Sequence, residues 1–105
     1  MPEEQWIRVG AVSSLDVGSM TGVEQGDFHI AVYNVDGEFF ATDNICSHAF
    51  ALLTDGQLDG DIIECPLHGG CFRVKTGEGM GEPISRDIRT YPVRIMDGII
   101  EILVS

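Results

Sequence analysis

Two short clusters of cysteine and histidine constrain this 105-residue chain more than any other feature. The first reads Cys-Ser-His from Cys46 to His48, and the second reads Cys-Pro-Leu-His from Cys65 to His68. Thiolate and imidazole are both metal ligands, so the two clusters supply four ligands if their loops meet in space. The spacing therefore predicts a metal centre built by Cys46, His48, Cys65 and His68.

Four such ligands suit two kinds of centre. One is a tetrahedral zinc ion in a structural module that binds a protein partner. The other is a two-iron, two-sulfide cluster in which two Cys bind one iron and two His bind the other. Structural zinc sites usually place a Cys pair before a His pair, whereas each cluster here contributes one Cys and one His. The order favours the iron–sulfur cluster and leaves zinc as the alternative.

The C-x-H…C-x-x-H pattern, continued by Gly69 and Gly70, resembles the ligand signature of the Rieske family. Residues 42–91 resemble the small ferredoxins that serve aromatic-ring-hydroxylating dioxygenases of the biphenyl and naphthalene type. The glycines are expected to let the backbone approach the cluster without a Cβ in the way. The resemblance also implies a third loop whose proline, at Pro83 in this chain, packs over the cluster.

The resemblance implies one [2Fe-2S] cluster and a role for each ligand. Cys46 and Cys65 would bind the inner iron as thiolates, and His48 and His68 would bind the outer iron as neutral imidazoles. The remaining cysteine, Cys71, is expected to have no ligand role. Imidazole in place of thiolate removes negative charge from the ligand set, which raises the reduction potential relative to an all-Cys cluster.

The same resemblance implies an electron carrier and not an enzyme. It would take electrons from an NAD(P)H-dependent flavoprotein reductase and pass them singly to the terminal oxygenase of an aromatic-ring dioxygenase system. The residue count agrees with a carrier that has no oxygenase site. A mononuclear oxygenase iron needs two further His, and only His29 remains. His29 is expected to be an ordinary surface residue. The glycine-rich run from Gly77 to Gly81 is followed by no helix-forming stretch and so is no dinucleotide fingerprint. The alternative is a Rieske small subunit of another oxidoreductase, of the nitrite reductase type.

Short alternating segments with Gly-rich turns predict a single all-β domain over residues 1–105. Strands are expected at residues 6–12, 19–23, 28–35, 38–42, 57–58, 62–64, 71–74, 89–96 and 99–104. A turn or short helical corner is expected at 13–18, and residues 49–54 are expected either to cover the first ligand loop or to start a cramped helical turn. The family implies an antiparallel β-sandwich or barrel base at about 1–42 and 83–105, with a small cluster-binding subdomain inserted at about 43–82.

The negative net charge of the chain limits the kinds of macromolecule that it is expected to bind. Seventeen acidic and six basic side chains give a net charge of −11, which disfavours nucleic acid and anionic membranes and favours a cationic patch on a protein. Complementary charge would speed the short encounters of an electron carrier. The chain has no apolar run of the length that a membrane span needs, and its N-terminus has no signal-peptide pattern, so a cytoplasmic location is expected. A monomer is the default expectation.

The second loop also predicts the reduction potential. By family resemblance, high-potential Rieske proteins have a disulfide between their ligand loops, and Ser and Tyr hydroxyls that donate to cluster sulfurs. The corresponding positions here are Leu67, Gly70 and Phe72, none of which carries a hydroxyl or a thiol. The potential is therefore expected near the low end of the Rieske range, at roughly −150 mV.

Overall fold

A computed structural model describes residues 4–47, 50–67, 69–82, 84 and 86–105, and in this part of the chain it contains ten strands and no α-helix. No helix among these residues is long and apolar enough to cross a membrane. The strands are β1 (Gln5–Ala11), β2 (Met20–Gln25), β3 (Phe28–Val35), β4 (Glu38–Asp43), β5 (Gln57–Asp59), β6 (Ile62–Glu64), β7 (Cys71–Arg73), β8 (Thr90–Tyr91), β9 (Val93–Met96) and β10 (Ile99–Val104). Two 3₁₀ turns lie at Val12–Ser14 and Leu53–Asp55. The all-β prediction is confirmed.

The strands form three antiparallel sheets, ordered β1-β10-β9, β2-β3-β4-β8 and β5-β6-β7. Tight hairpins at Asp36-Gly37 and Asp97-Gly98 join β3 to β4 and β9 to β10. Both residues of each pair have positive φ, as a type I′ turn requires. These local signals explain why β3, β4 and β10 start and end within a residue of their predicted bounds.

The predicted strand at residues 89–96 is two strands, because Pro92 interrupts it. β8 pairs with β4 in the second sheet, whereas β9 pairs with β10 in the first. Proline has no N–H to give to either ladder, but its carbonyl accepts a hydrogen bond from the Leu103 amide at 3.0 Å. The chain changes sheets at this residue, and the first two sheets are thereby joined into one base.

Strand β3 lies between two hydrophobic cores. Its side chains alternate in direction, so Ile30 and Val32 enter one core while Ala31, Tyr33 and Val35 enter the other. The first core is completed by apolar residues of the β1-β10-β9 sheet. The second contains Cys46, Leu53, Ile63, Cys65, Phe72, Val74, Ile84 and Ile88. The central strand of the base therefore packs directly against the region that carries the two cysteines.

Candidate metal centre

The first ligand loop leaves β4 and is held by a buried asparagine. The Asn44 backbone amide donates to the His29 carbonyl at 2.8 Å, and the Asn44 carbonyl accepts from the Leu53 amide at 2.7 Å. The side chain of Asn44 accepts from the Thr54 amide at 2.9 Å and donates to the Thr54 hydroxyl at 3.0 Å. These four bonds fix the loop between β3 and the 3₁₀ turn at Leu53–Asp55, and they bring Cys46 into the core.

The second ligand loop joins β6 to β7. It is closed by a hydrogen bond of 2.6 Å from the Cys65 amide to the Gly70 carbonyl. Gly69 has a φ of +71°, a conformation that glycine adopts at no steric cost. The loop is thus a tight connection of a regular hairpin, and the pairing of Glu64 with Cys71 sets where Cys65 projects.

The two loops bring the two cysteine side chains together. Cys46 is 4% exposed and Cys65 is 1% exposed, and their thiols lie within hydrogen-bonding contact. Burial raises the pKa of the Cys65 thiol, the backbone amide of Leu67 opposes this by hydrogen bonding to the sulfur, and the adjacent Cys46 thiol raises it further. Metal binding replaces thiol protons, so this buried sulfur pair fits one iron of a two-iron cluster.

The two predicted histidine ligands, His48 and His68, lie outside the described residues, and so does Pro83 of the third loop. Within the described ranges, no group of three or more His, Cys, Asp and Glu is arranged to hold a metal ion. The structure therefore brings Cys46 and Cys65 together, and the complete four-ligand set stays a prediction.

The other two residues considered in the sequence, His29 and Cys71, contact groups outside the sulfur pair. The His29 imidazole is 3.0 Å from a Glu24 carboxylate on the neighbouring strand β2. The Cys71 thiol donates to the Gly69 carbonyl at 3.5 Å, and burial, followed by the nearby Glu64 carboxylate, raises its pKa. Neither contact adds a ligand to the centre.

The first ligand loop is also held by residues that the sequence motifs did not indicate. A reciprocal pair of hydrogen bonds joins Ser47, inside the first cluster, to Arg86. At the base of the same loop, the Tyr91 hydroxyl donates to the Asp43 carboxylate at 2.5 Å, and the Arg89 guanidinium lies 4.6 Å from the centre of the Tyr91 ring. The two sets of hydrogen bonds join residues 39 and 48 positions apart, so no local pattern reveals them.

An open groove of about 730 Å³ runs beside the first ligand loop. Its walls are mixed in character, and they include Asp27, Phe28, His29, Asp43, Ile45, Cys46, Ser47, Phe50, Arg86, Asp87, Ile88, Arg89 and Tyr91. The groove leaves one side of the loop open to solvent.

Two buried thiols lie side by side in an antiparallel β domain, and each of their loops carries a histidine shortly after its cysteine in the sequence. This combination is typical of a protein that binds a metal cluster. The chain belongs to the Rieske [2Fe-2S] domain family, which it matches over residues 5–92. Membership implies an iron–sulfur cluster and supersedes the zinc alternative.

Several proteins that are similar to this chain in sequence are ferredoxins. The chain is 45% identical, over 88% of each sequence, to the ferredoxin component of naphthalene 1,2-dioxygenase/salicylate 5-hydroxylase systems of a Ralstonia species. It is 38% identical, with a TM-score of 0.90 and 92% and 91% coverage, to a chain in a complex of reduced oxygenase and oxidized ferredoxin of carbazole 1,9a-dioxygenase. A nitrite reductase small subunit of Mycobacterium tuberculosis, at 21% identity and a TM-score of 0.86 over 99% and 98% of the chains, shares the fold.

Proposed function

We propose that this protein is the one-electron carrier of an aromatic-ring dioxygenase system. It receives electrons from an NAD(P)H-dependent flavoprotein reductase and delivers them to the terminal oxygenase, and it is not itself an enzyme. The observation that carries the proposal is the 45% identity, over 88% of both sequences, to a ferredoxin component of such systems. The nitrite reductase alternative has weaker support, because that similarity is 21% in sequence.

One [2Fe-2S] cluster is proposed, with Cys46 and Cys65 on the inner iron and His48 and His68 on the outer iron. The buried, adjacent thiols of Cys46 and Cys65 support the sulfur half of this set. The spacing of the two motifs supports the histidine half. When bound, the cluster supplies reversible one-electron storage. The protein's own residues hold it and set how much of it partners can reach.

The cluster-binding unit is proposed to be the insertion at about residues 43–82, carried on a base formed by residues 1–42 and 83–105. The separate three-stranded sheet β5-β6-β7 supports this division. A cytoplasmic monomer is proposed as well. With two of the three cysteines proposed as ligands, Cys71 has no cysteine left to pair with in the sequence, which agrees with a reducing compartment.

The end of the molecule that carries the ligand loops is proposed as the docking face for the oxygenase. Several apolar side chains are exposed on the loops there, and Phe50 is fully exposed. The others are Ile45, Leu52 and Leu67. Exposed apolar groups clustered on one side of a small protein are typical of an interaction surface.

The charge of the chain supports a cationic partner surface. Five of the six basic side chains already contact groups of the chain itself; they are Arg73, Lys75, Arg86, Arg89 and Arg94. The excess of acidic side chains is therefore left for partners and solvent.

The rate of electron transfer to the oxygenase is expected to fall as salt rises, because surface charges are screened over about 8 Å at physiological ionic strength. Stopped-flow bleaching of the reduced carrier after mixing with oxidised oxygenase measures this rate. A rate that is flat from low to high salt would show that the acidity does not steer the encounter.

Phe50→Ser provides the matched comparison, because it removes an apolar contact without changing charge. We expect it to slow transfer at every salt concentration and to leave the salt dependence unaltered. An unchanged rate in this variant would place the docking face elsewhere.

The potential of the native protein is expected at roughly −150 mV. Gly70 is buried, and Phe72 is fully buried in the core that contains both cysteines, so a hydroxyl added at either position is shielded from solvent. A hydrogen bond to a cluster sulfur favours the more negative reduced state. At about 1.5 kcal/mol for each such bond, Gly70→Ser and Phe72→Tyr should each raise the potential by about 60 mV.

Voltammetry tests this, with Gly70→Ala as the control that adds a methyl group and no hydroxyl. A clearly positive native potential would contradict the prediction. Equal potentials for Gly70→Ser and Gly70→Ala would show that the serine hydroxyl does not reach the cluster.

A further inference from the structure

Two hydrogen bonds that run in opposite directions join the first ligand loop to Arg86. The Ser47 hydroxyl donates to the Arg86 carbonyl at 2.7 Å, and Nη2 of Arg86 donates to the Ser47 carbonyl at 3.3 Å. Ser47 stands between the candidate ligands Cys46 and His48 in the sequence. Because each residue is both donor and acceptor, the pair fixes the backbone of one segment against the backbone of the other.

The segment that carries Arg86 is itself firmly attached. Ile84 is buried in the same core as Cys46, and the carboxylate of Asp87 accepts a hydrogen bond from the Gly79 amide at 2.9 Å. Packing here is so close that a Cβ on Gly79 would lie 2.4 Å from Cγ2 of Ile84. The backbone at Arg86 is therefore held between two anchored neighbours, and its exposed guanidinium is attached to the first ligand loop by the hydrogen bond to Ser47.

The Arg86 guanidinium contacts the backbone of the first ligand loop. The carbonyl carbon of Ser47 is bonded to the nitrogen of His48, so the guanidinium lies against the peptide group that precedes a candidate ligand. Among the basic side chains of the described residues, Arg86 is the one whose hydrogen bond reaches this loop. A fixed positive charge attracts the reduced cluster, which carries one more negative charge, more strongly than the oxidised cluster.

We propose that Arg86 is a positioning residue for the cluster. Through Ser47 it holds the segment that carries Arg86 against the first ligand loop, and it keeps a positive charge beside the ligand pair that favours the reduced state. This inference rests on the proposed function, since it assumes that the cluster binds at the two ligand loops.

The test is the midpoint potential of the holoprotein. Arg86→Gln removes the charge and should lower the reduced-to-oxidised ratio at a fixed applied potential by about threefold. This change corresponds to about 30 mV at 59 mV per tenfold for one electron. Arg86→Lys keeps the charge and should stay close to the native value. Arg8→Gln is the matched control, because it removes one positive charge from strand β1 of the base.

The pair of hydrogen bonds between Ser47 and Arg86 is tested separately through Ser47. Ser47→Ala removes one of the two bonds and leaves the guanidinium, so we expect a smaller fall in potential than in Arg86→Gln. Ser47→Thr keeps the hydroxyl and should restore the native value. If Arg86→Gln does not retain its cluster, the midpoint potentials of these two variants still test the proposal.

The outcomes separate the two proposals. Absence of a [2Fe-2S] cluster from the native protein would overturn the proposed function itself. A native cluster, with Arg86→Gln at the same potential as Arg8→Gln, would overturn only the role of Arg86. Equal potentials in Ser47→Ala and Ser47→Thr would overturn the part assigned to the hydrogen bonds between Ser47 and Arg86.

Discussion

Alanine at Cys46, His48, Cys65 or His68 is expected to abolish binding of both irons. The physical reason is clearest for the cysteines, whose side chains are buried and adjacent, so that one iron would lose half of its protein ligands. Because the cluster binds the folded state, its loss should also loosen residues 43–82. Iron and sulfide analysis of the purified variants measures the first effect, and amide hydrogen exchange measures the second.

Cys71→Ser is the matched control. This cysteine lies three residues after His68 but hydrogen bonds to the Gly69 carbonyl and has no place in the proposed ligand set. It should retain full iron and the native spectrum. Retention of both irons in any of the four alanine variants would remove that residue from the ligand set.

Gly56→Ala is expected to be among the most destabilising single methyl additions in the molecule. A Cβ at this position would lie 1.9 Å from the backbone carbonyl oxygen of Glu64, the residue before Cys65. Backbone cannot rotate aside as a side chain can, so the β5–β6 hairpin must open. Overpacking of this kind costs about 3 kcal/mol, which should lower the melting temperature by roughly 10–20 °C in a domain of this size.

Gly10→Ala is the control, because its Cβ would lie 3.4 Å from the Ser14 hydroxyl, an ordinary contact. Both substitutions restrict the unfolded chain equally, so the difference between them isolates the clash. Thermal unfolding followed by circular dichroism, together with iron content, measures the effect. Similar melting temperatures in the two variants would mean that the hairpin accommodates the methyl group.

The sequence predicted the regular parts of this fold because their signals are local. The alternation in residues 28–35 and the Asp36-Gly37 turn define a hairpin without reference to the rest of the chain. The cysteine motifs also sit on short loops whose ends are set by neighbouring strands. Pairing across β6 and β7 then carries Cys65 to its observed place.

What the sequence did not predict depends on contacts between distant segments. Pro92 reads as one residue within a strand, and only the partners on either side show that it divides two sheets. Asn44 looks like an ordinary loop residue, yet its side chain is buried and bonded to Thr54. The charge of Arg86 gives no hint of its bond to a residue 39 positions earlier.

The two-sided burial of β3 bears on how such a carrier could be re-engineered. A designer who moved residues 43–82 onto a foreign β-scaffold would transfer both ligand loops but leave Ala31, Tyr33 and Val35 behind. Tyr33 is fully buried, and its hydroxyl hydrogen bonds to Thr42 at 2.8 Å, so the recipient would need a matching wall and a polar partner. The transplantable unit is therefore the insertion together with one face of this strand.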